Sequence, residues 1–431
     1  MNYYSLNHQS PITDFRNATI QGQAPDGGLY FPENIPQKGR DWIGNLKNIS
    51  REEIAFQVIR PFTGNTIPED ILWKIVAETI DFPIPLKKIH DNYYSLELFH
   101  GPTLAFKDIG ARFMSRCLGY FARERSEKVT VLVATSGDTG GAVASGFHNV
   151  EGVDVVILYP SGKVSSVQEK QLTTFGGNIH ALEVNGNFDD CQQMVKQAFS
   201  DRALTEKIFL TSANSINVAR WLPQQFYYFF ALQQWTESEP PVISVPSGNF
   251  GNICAGIMAW KAGLPVKHFI AACNANDVVP KFMETGKYEP QKAVATISNA
   301  MDVGNPSNFV RILEIFQNQS TELKAIFSSH TTSDEQTKKL ISDVFNQHSY
   351  LLDPHGAVGY DALHDWISGH PDEKGIVLET AHPIKFLDVV EPVIGQTIPV
   401  PESIAESMQK EKAATPVSNN YAALKEYLLS R

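Results

Sequence analysis

Lys107 interrupts an apolar run in LFHGPTLAFKDIGARF, residues 98–113, with Leu104, Ala105 and Phe106 before it and Ile109 soon after. Stripping water from an ammonium is costly, so a lysine in such company has three readings. Its stem packs while the head reaches solvent, it serves as a point charge for an anion, or it acts as a nucleophile. In the third case desolvation lowers the amine's pKa and readies it to form a Schiff base with a carbonyl.

Two Gly-rich loops supply a setting for an anion. VTVLVATSGDTGGAVASG carries the hydroxyls of Thr135, Ser136 and Thr139, with Asp138 among them. VISVPSGNFGNICAGIMAW places Ser247, Gly248, Asn249, Phe250, Gly251 and Asn252 between an apolar run and a small-residue helix. Unpaired N–H groups at a helix start bind phosphate or carboxylate, although each loop taken alone also reads as an ordinary strand–helix turn. Neither is a Walker A loop or a G-x-G-x-x-G fingerprint. ANSINVAR gathers Asn214, Ser215, Asn217 and Arg220, either a capping cluster or a bidentate grip on phosphate. Lys163 follows a strand end in LYPSGK, and Thr380 closes GIVLET, followed by His382, which reads as structural. Asp353 and His355 read as a turn, since no serine partner is marked. No H-E-x-x-H or Cys/His cluster with ligand spacing occurs, so no metal is expected. A lysine nucleophile beside phosphate-binding loops is the pairing a pyridoxal phosphate enzyme requires.

These residues need rigid elements to position them. KVTVLVAT, GVDVVILYP, NIHALEV, PPVISVPSG, VKHFIAAC and GIVLETAHP read as buried strands alternating with helices. That pattern predicts parallel sheets covered on both faces and two α/β lobes with the site between them. Phe188, Cys191, Val195 and Ala198 recur at helical spacing, and a helix is expected to begin at Pro68, with Glu69 and Asp70 in its first turn. The turn-rich first ninety residues read as a separate mixed domain. A chain of 431 residues exceeds one growing core. Its 42% hydrophobic and 19% charged residues describe a folded protein, and a net charge of -11 argues against non-specific binding to nucleic acid or anionic membrane. Cys117, Cys191, Cys254 and Cys273 lie far apart and read as reduced thiols. No signal peptide is visible and no apolar run approaches the roughly 20 residues of a membrane helix, so a cytoplasmic location is expected.

Together LFHGPTLAFKD, TSGDTG, ANSIN with Arg220, VPSGNFGN and ETAHP resemble the threonine synthase family in its longer form, which has an extra N-terminal domain. The likeness runs from DGGLYFP to beyond TAHPIKF. It implies a two-lobed α/β fold, the tryptophan synthase β-like arrangement of fold type II pyridoxal phosphate enzymes. The segments expected are an N-terminal domain at 1–92, a first lobe at 93–215 and a second at 216–431. The resemblance also implies that Lys107 is catalytic and carries the cofactor. Ser247 and Gly248, Asn249, Phe250, Gly251 and Asn252 would form the cofactor's phosphate loop, Thr380 would meet its pyridine nitrogen, and Asp138 would lie beside its 3′-oxygen. Thr135, Ser136, Thr139, Lys163, Asn214, Ser215, Arg220 and Asn249 would hold O-phospho-L-homoserine. The reaction implied is loss of phosphate from the γ-carbon and addition of water at the β-carbon, giving L-threonine in the last step of its biosynthesis. The family suggests a monomer. An ionised Asp138 would repel the cofactor's phenolate, so it is expected to be protonated or turned away.

Overall fold

All six apolar runs become strands, because each is long enough to cross a sheet and ends at a turn former. The computed structural model describes residues 1–125 and 127–431. A small antiparallel sheet forms from β1 (Asn2–Ser5), β2 (Thr13–Asp14) and β3 (Tyr30–Pro32), in the order β2-β1-β3. The hairpin β4 (Leu86–His90) and β5 (Tyr93–Glu97) follows. Next come β6 (Val129–Ala134), β7 (Val153–Pro160), β8 (Ile179–Asn185) and β9 (Phe209–Ser212). After these lie β10 (Val242–Pro246), β11 (His268–Cys273), β12 (Phe327–Thr331), β13 (Gly375–Glu379) and β14 (Thr415–Ser418).

The larger sheets are parallel except for one edge. Their orders are β12-β11-β10-β13-β5-β4 and β14-β8-β7-β6-β9, with β4 alone antiparallel to its neighbour. Central strands are buried on both faces, as crossover helices demand. This overturns the expected lobe boundaries. β5 lies within 93–215 but pairs with β13, while β14 lies within 216–431 but completes the other sheet on β8. Parallel pairing requires long crossovers, so neighbours in a sheet need not be neighbours in sequence.

Two helices pack against each other deep in the core. In Gln225–Gln234, all residues from Gln225 to Leu232 are buried, and in Gly251–Lys261 all from Gly251 to Ala259. Phe188–Ser200 is amphipathic as its spacing predicts, with Cys191, Val195 and Ala198 buried. Pro68 caps the helix Glu69–Thr79 rather than starting it. Asp353 is not a turn residue: its carboxylate accepts from the N–H groups of His355 and Gly356 and caps the helix Pro354–Gly369. A turn and a helix start share the Asp-Pro signal, and the apolar stretch that follows decides for the helix.

Candidate active site

Every loop expected to do chemistry leaves the carboxyl end of a parallel strand, where open α/β sheets bind ligands. β5 leads to Lys107, β6 to Thr135 through Asp138, β10 to Ser247 through Asn252, and β13 to Thr380. Lys107 begins the helix Lys107–Ala122. Its segment is sewn to the Thr380 loop by two bonds, Phe106 N–H to Thr380 O at 2.9 Å and His382 N–H to Leu104 O at 3.0 Å. Burial lowers the Lys107 pKa against the opposing pull of Asp138, and Lys385 and Arg220 push it down further. The positive end of its own helix acts in the same direction. Such an amine is ready to be a nucleophile and a base.

Asp138 starts the helix Asp138–Phe147, and its Oδ2 lies 3.8 Å from Lys107 Nζ. Its Oδ1 receives Lys385 Nζ at 2.8 Å and Gln168 Nε2 at 2.9 Å. Burial alone would raise this carboxyl's pKa, but the Lys385 and Lys107 ammoniums prevail and hold it well below the usual range. A fully buried lysine thus compensates the Asp138 carboxylate, whose other oxygen faces the Lys107 amine. The same loop explains Thr135, whose Oγ1 accepts from the N–H groups of Gly137 at 3.0 Å and Gly140 at 2.8 Å. Thr135 thus shapes the turn and keeps only its own proton for a ligand. Ser136 and Thr139 are half-buried, with hydroxyls that no described residue engages. Gly137 has φ +140, and a Cβ there would meet the Gln168 side chain at 2.5 Å.

In the second loop Phe250 adopts left-handed backbone at φ 60, packs edge-on against Phe309 and exposes the start of the helix Gly251–Lys261 with no side-chain cap. Among the described residues, none accepts from the N–H groups of Gly248, Asn249, Phe250, Gly251 or Asn252. The Oδ1 of Asn252 is saturated by the hydroxyls of Tyr227 at 2.7 Å and Tyr228 at 2.8 Å, which leaves its buried Nδ2 without a partner. Unspent donors at a helix start beside a depressed-pKa lysine fit a group with one phosphate and one aldehyde, so pyridoxal phosphate suits these residues. One expected member has another duty, and one must be glycine. Ser247 donates to Val245 O at 2.8 Å, and a Cβ on Gly248 would meet the Met301 backbone at 2.6 Å. Thr380 is buried, and its hydroxyl bonds no described residue.

The anion cluster is partly as expected. Arg220 is buried, donates Nη1 to Ala213 O and leaves Nε without an acceptor, and burial lowers its pKa to about 10. A Cβ on Gly110, one turn after Lys107, would lie 3.1 Å from that Nε. Asn214 Oδ1 is likewise buried and unpartnered. Asn249 and Ser215 meet each other at 3.0 Å, but inside a network with Ser307 and Asn308. Lys163 is exposed and makes no side-chain contact with the other residues named. His382 accepts from Ile384 N–H at 3.1 Å and is structural, as expected.

Sequence reasoning missed Lys385, Gln168, Asn308 and Arg311. Lys385 carried the same signal as Lys107, a lysine in an apolar run (HPIKFL), and Arg311 stands likewise in NFVRIL. Nothing in the sequence marked Gln168 or Asn308.

Comparison with known proteins identifies the family. Residues 83–378 match the family model described as pyridoxal-phosphate dependent enzyme, residues 2–80 that of the threonine synthase N terminus, and residues 356–428 that of the threonine synthase C-terminal region. Threonine synthase of Haemophilus influenzae is 43% identical over 431 residues, covering all of both chains. The crystal structure of the Escherichia coli threonine synthase superposes with a TM-score of 0.93 at 41% identity over both full chains. The pyridoxal phosphate-bound structure from Brucella melitensis gives 0.93 at 36%, covering 99% of this chain and 98% of that one. On full-length identity of this order, the chain belongs to the threonine synthase family of pyridoxal-phosphate dependent enzymes.

Proposed function

We infer that this enzyme converts O-phospho-L-homoserine and water to L-threonine and phosphate, acting as a cytoplasmic monomer. The observation that carries the substrate choice is Arg220, a buried guanidinium with an unspent Nε within one helical turn of Lys107. A dehydratase of this fold has no phosphate to hold, and a buried cation without an anion is costly. The four cysteines are free and buried, which supports a reducing compartment.

When bound, pyridoxal phosphate withdraws electrons from the substrate's α-carbon. The remaining work belongs to the chain. Lys107 would hold the cofactor through its Nζ, and the same amine would serve as general base for the substrate's α-proton. The N–H groups of Gly248 to Asn252, with Asn252 Nδ2, hold the cofactor's phosphate. The hydroxyl of Thr380 would meet the pyridine nitrogen and, unlike a carboxylate, would not force a proton onto it. Ser136 and Thr139, with the remaining proton of Thr135, bind the substrate's carboxylate. Arg220, Asn214 and Lys163 hold the departing phosphate, and the Asn249–Ser215 network keeps that pocket rigid.

Borohydride reduction followed by peptide mapping tests the lysine. A pyridoxyl group on Lys107 is expected, and one elsewhere would falsify the assignment. Assay of O-phosphohomoserine beside serine and threonine tests the substrate. Threonine and phosphate are expected from the first, whereas ammonia and a keto acid as main products from threonine would favour a dehydratase.

A further inference from the structure

Lys385 takes no part in the chemistry assigned above, yet it is fully buried within the site. Its Nζ donates to Thr103 O at 2.8 Å and to Asp138 Oδ1 at 2.8 Å. Gln168 Nε2 donates to that same Oδ1 at 2.9 Å, while Oδ2 receives neither and faces Lys107 Nζ at 3.8 Å. One carboxylate thus stands between two lysines, satisfied on one side and open toward the other.

A buried ammonium is tolerated only with its partner in place, and the surroundings show what this partner would otherwise do. Asp138 and Asp353 favour a charged Lys107, while Lys385 and Arg220 oppose it. Asp108 and His382 also lie within electrostatic reach of Lys385. Without Lys385, the nearest cation left to Asp138 is Lys107 itself. The Lys107 nitrogen would then keep its proton beside a bare buried carboxylate, where a base must be able to lose it.

We propose that Lys385 is a positioning residue that cancels the charge of Asp138, so that the Lys107 nitrogen takes up and releases its proton beside a neutral pair. This rests on Lys107 being the cofactor lysine. It would also explain how an aspartate is accommodated beside the cofactor's anionic oxygen, since the carboxylate's charge is already matched.

The test uses four holoenzymes loaded with pyridoxal phosphate: wild type, Lys385→Met, Asp138→Asn and the double variant. Each is titrated with pH while the cofactor's visible absorbance is followed, because its midpoint reports the proton on the Lys107 nitrogen. Lys385→Met is expected to raise the midpoint by about one pH unit or more, and Asp138→Asn to lower it by a similar amount. The double variant is expected to return close to wild type, since the two changes cancel. A purely structural role would lower melting temperatures and leave the midpoints in place, and that result overturns the proposal. Should Lys385→Met fail to fold, Asp138→Asn decides: a lowered midpoint supports the proposal and an unchanged or raised one refutes it. A wild-type protein that takes no colour overturns the cofactor reading and this one with it. Colour on Lys107 with immobile midpoints overturns only the role of Lys385.

Discussion

Arg220 spends one guanidinium nitrogen on Ala213 O and keeps Nε buried without an acceptor. A donor held ready in a dry site is worth most when charge develops on a leaving group. Arg220→Met is therefore expected to lower kcat/KM for O-phosphohomoserine about 100-fold or more in steady-state assays, a magnitude typical of a lost charge-stabilising donor. Lys163 is exposed, so Lys163→Met should cost far less, on the order of a few-fold. Equal losses at the two positions would show that exposure does not set the contribution. Lys107 was legible because its neighbours are apolar in sequence. Lys385 carries the same mark, but its meaning depends on Asp138, which folding alone brings to it.

At the scale of elements, the turn between β6 and the helix Asp138–Phe147 tolerates little change in its backbone. Gly137→Ala would force φ +140 on an L-residue and drive a Cβ into Gln168, which itself bonds Asp138. Strain of about 1–3 kcal/mol is expected in denaturant melts, together with weaker cofactor retention. β11 carries a different liability. His268 bonds Ser328 Oγ at 2.9 Å and stacks on Trp366, and burial lowers its pKa from 6.5 to about 4. The neutral ring is thus favoured by folding, so its contribution is complete above pH 6.5 and is lost as pH falls toward 4. Urea melts at pH 7 and pH 5 should show stability falling over that window. His268→Gln should remove on the order of 2 kcal/mol of the fall. Strands such as β6 and β10 were readable from sequence because burial on both faces leaves an unbroken apolar run. The start of the helix Pro354–Gly369 was misread because its cap is also a turn signal.

For the whole molecule, Arg311 is the tie that sequence did not reveal. Its fully buried guanidinium donates to Tyr30 O, Ser215 O, Ile216 O and Asn308 Oδ1 at 2.6–3.1 Å, and stacks 4.2 Å over Trp221. One side chain thereby joins the N-terminal sheet to the loop that carries Ser215. Arg311→Met is expected to cost about 3 kcal/mol or more, because several buried carbonyls lose their donor. Arg311→Lys should rescue little of that in the same melts, since an ammonium cannot present a planar fork to four acceptors. The segmentation into lobes was not legible for a related reason. Composition marks strands, but pairing partners are chosen across the whole chain.

That interleaving of the two sheets has a consequence for how the protein comes into being. On the ribosome β5 emerges early, yet its neighbour β13 is made only after nearly all the rest, and β8 must likewise wait for β14, the last strand of the chain. The exposed flanks of both strands must persist through most of translation, unpaired and prone to pairing with other nascent chains. Neither sheet can be finished as an independent unit while synthesis continues, so folding should be largely post-translational and slow for its size. A cell that makes this enzyme has to shelter an incomplete chain until its last strand arrives.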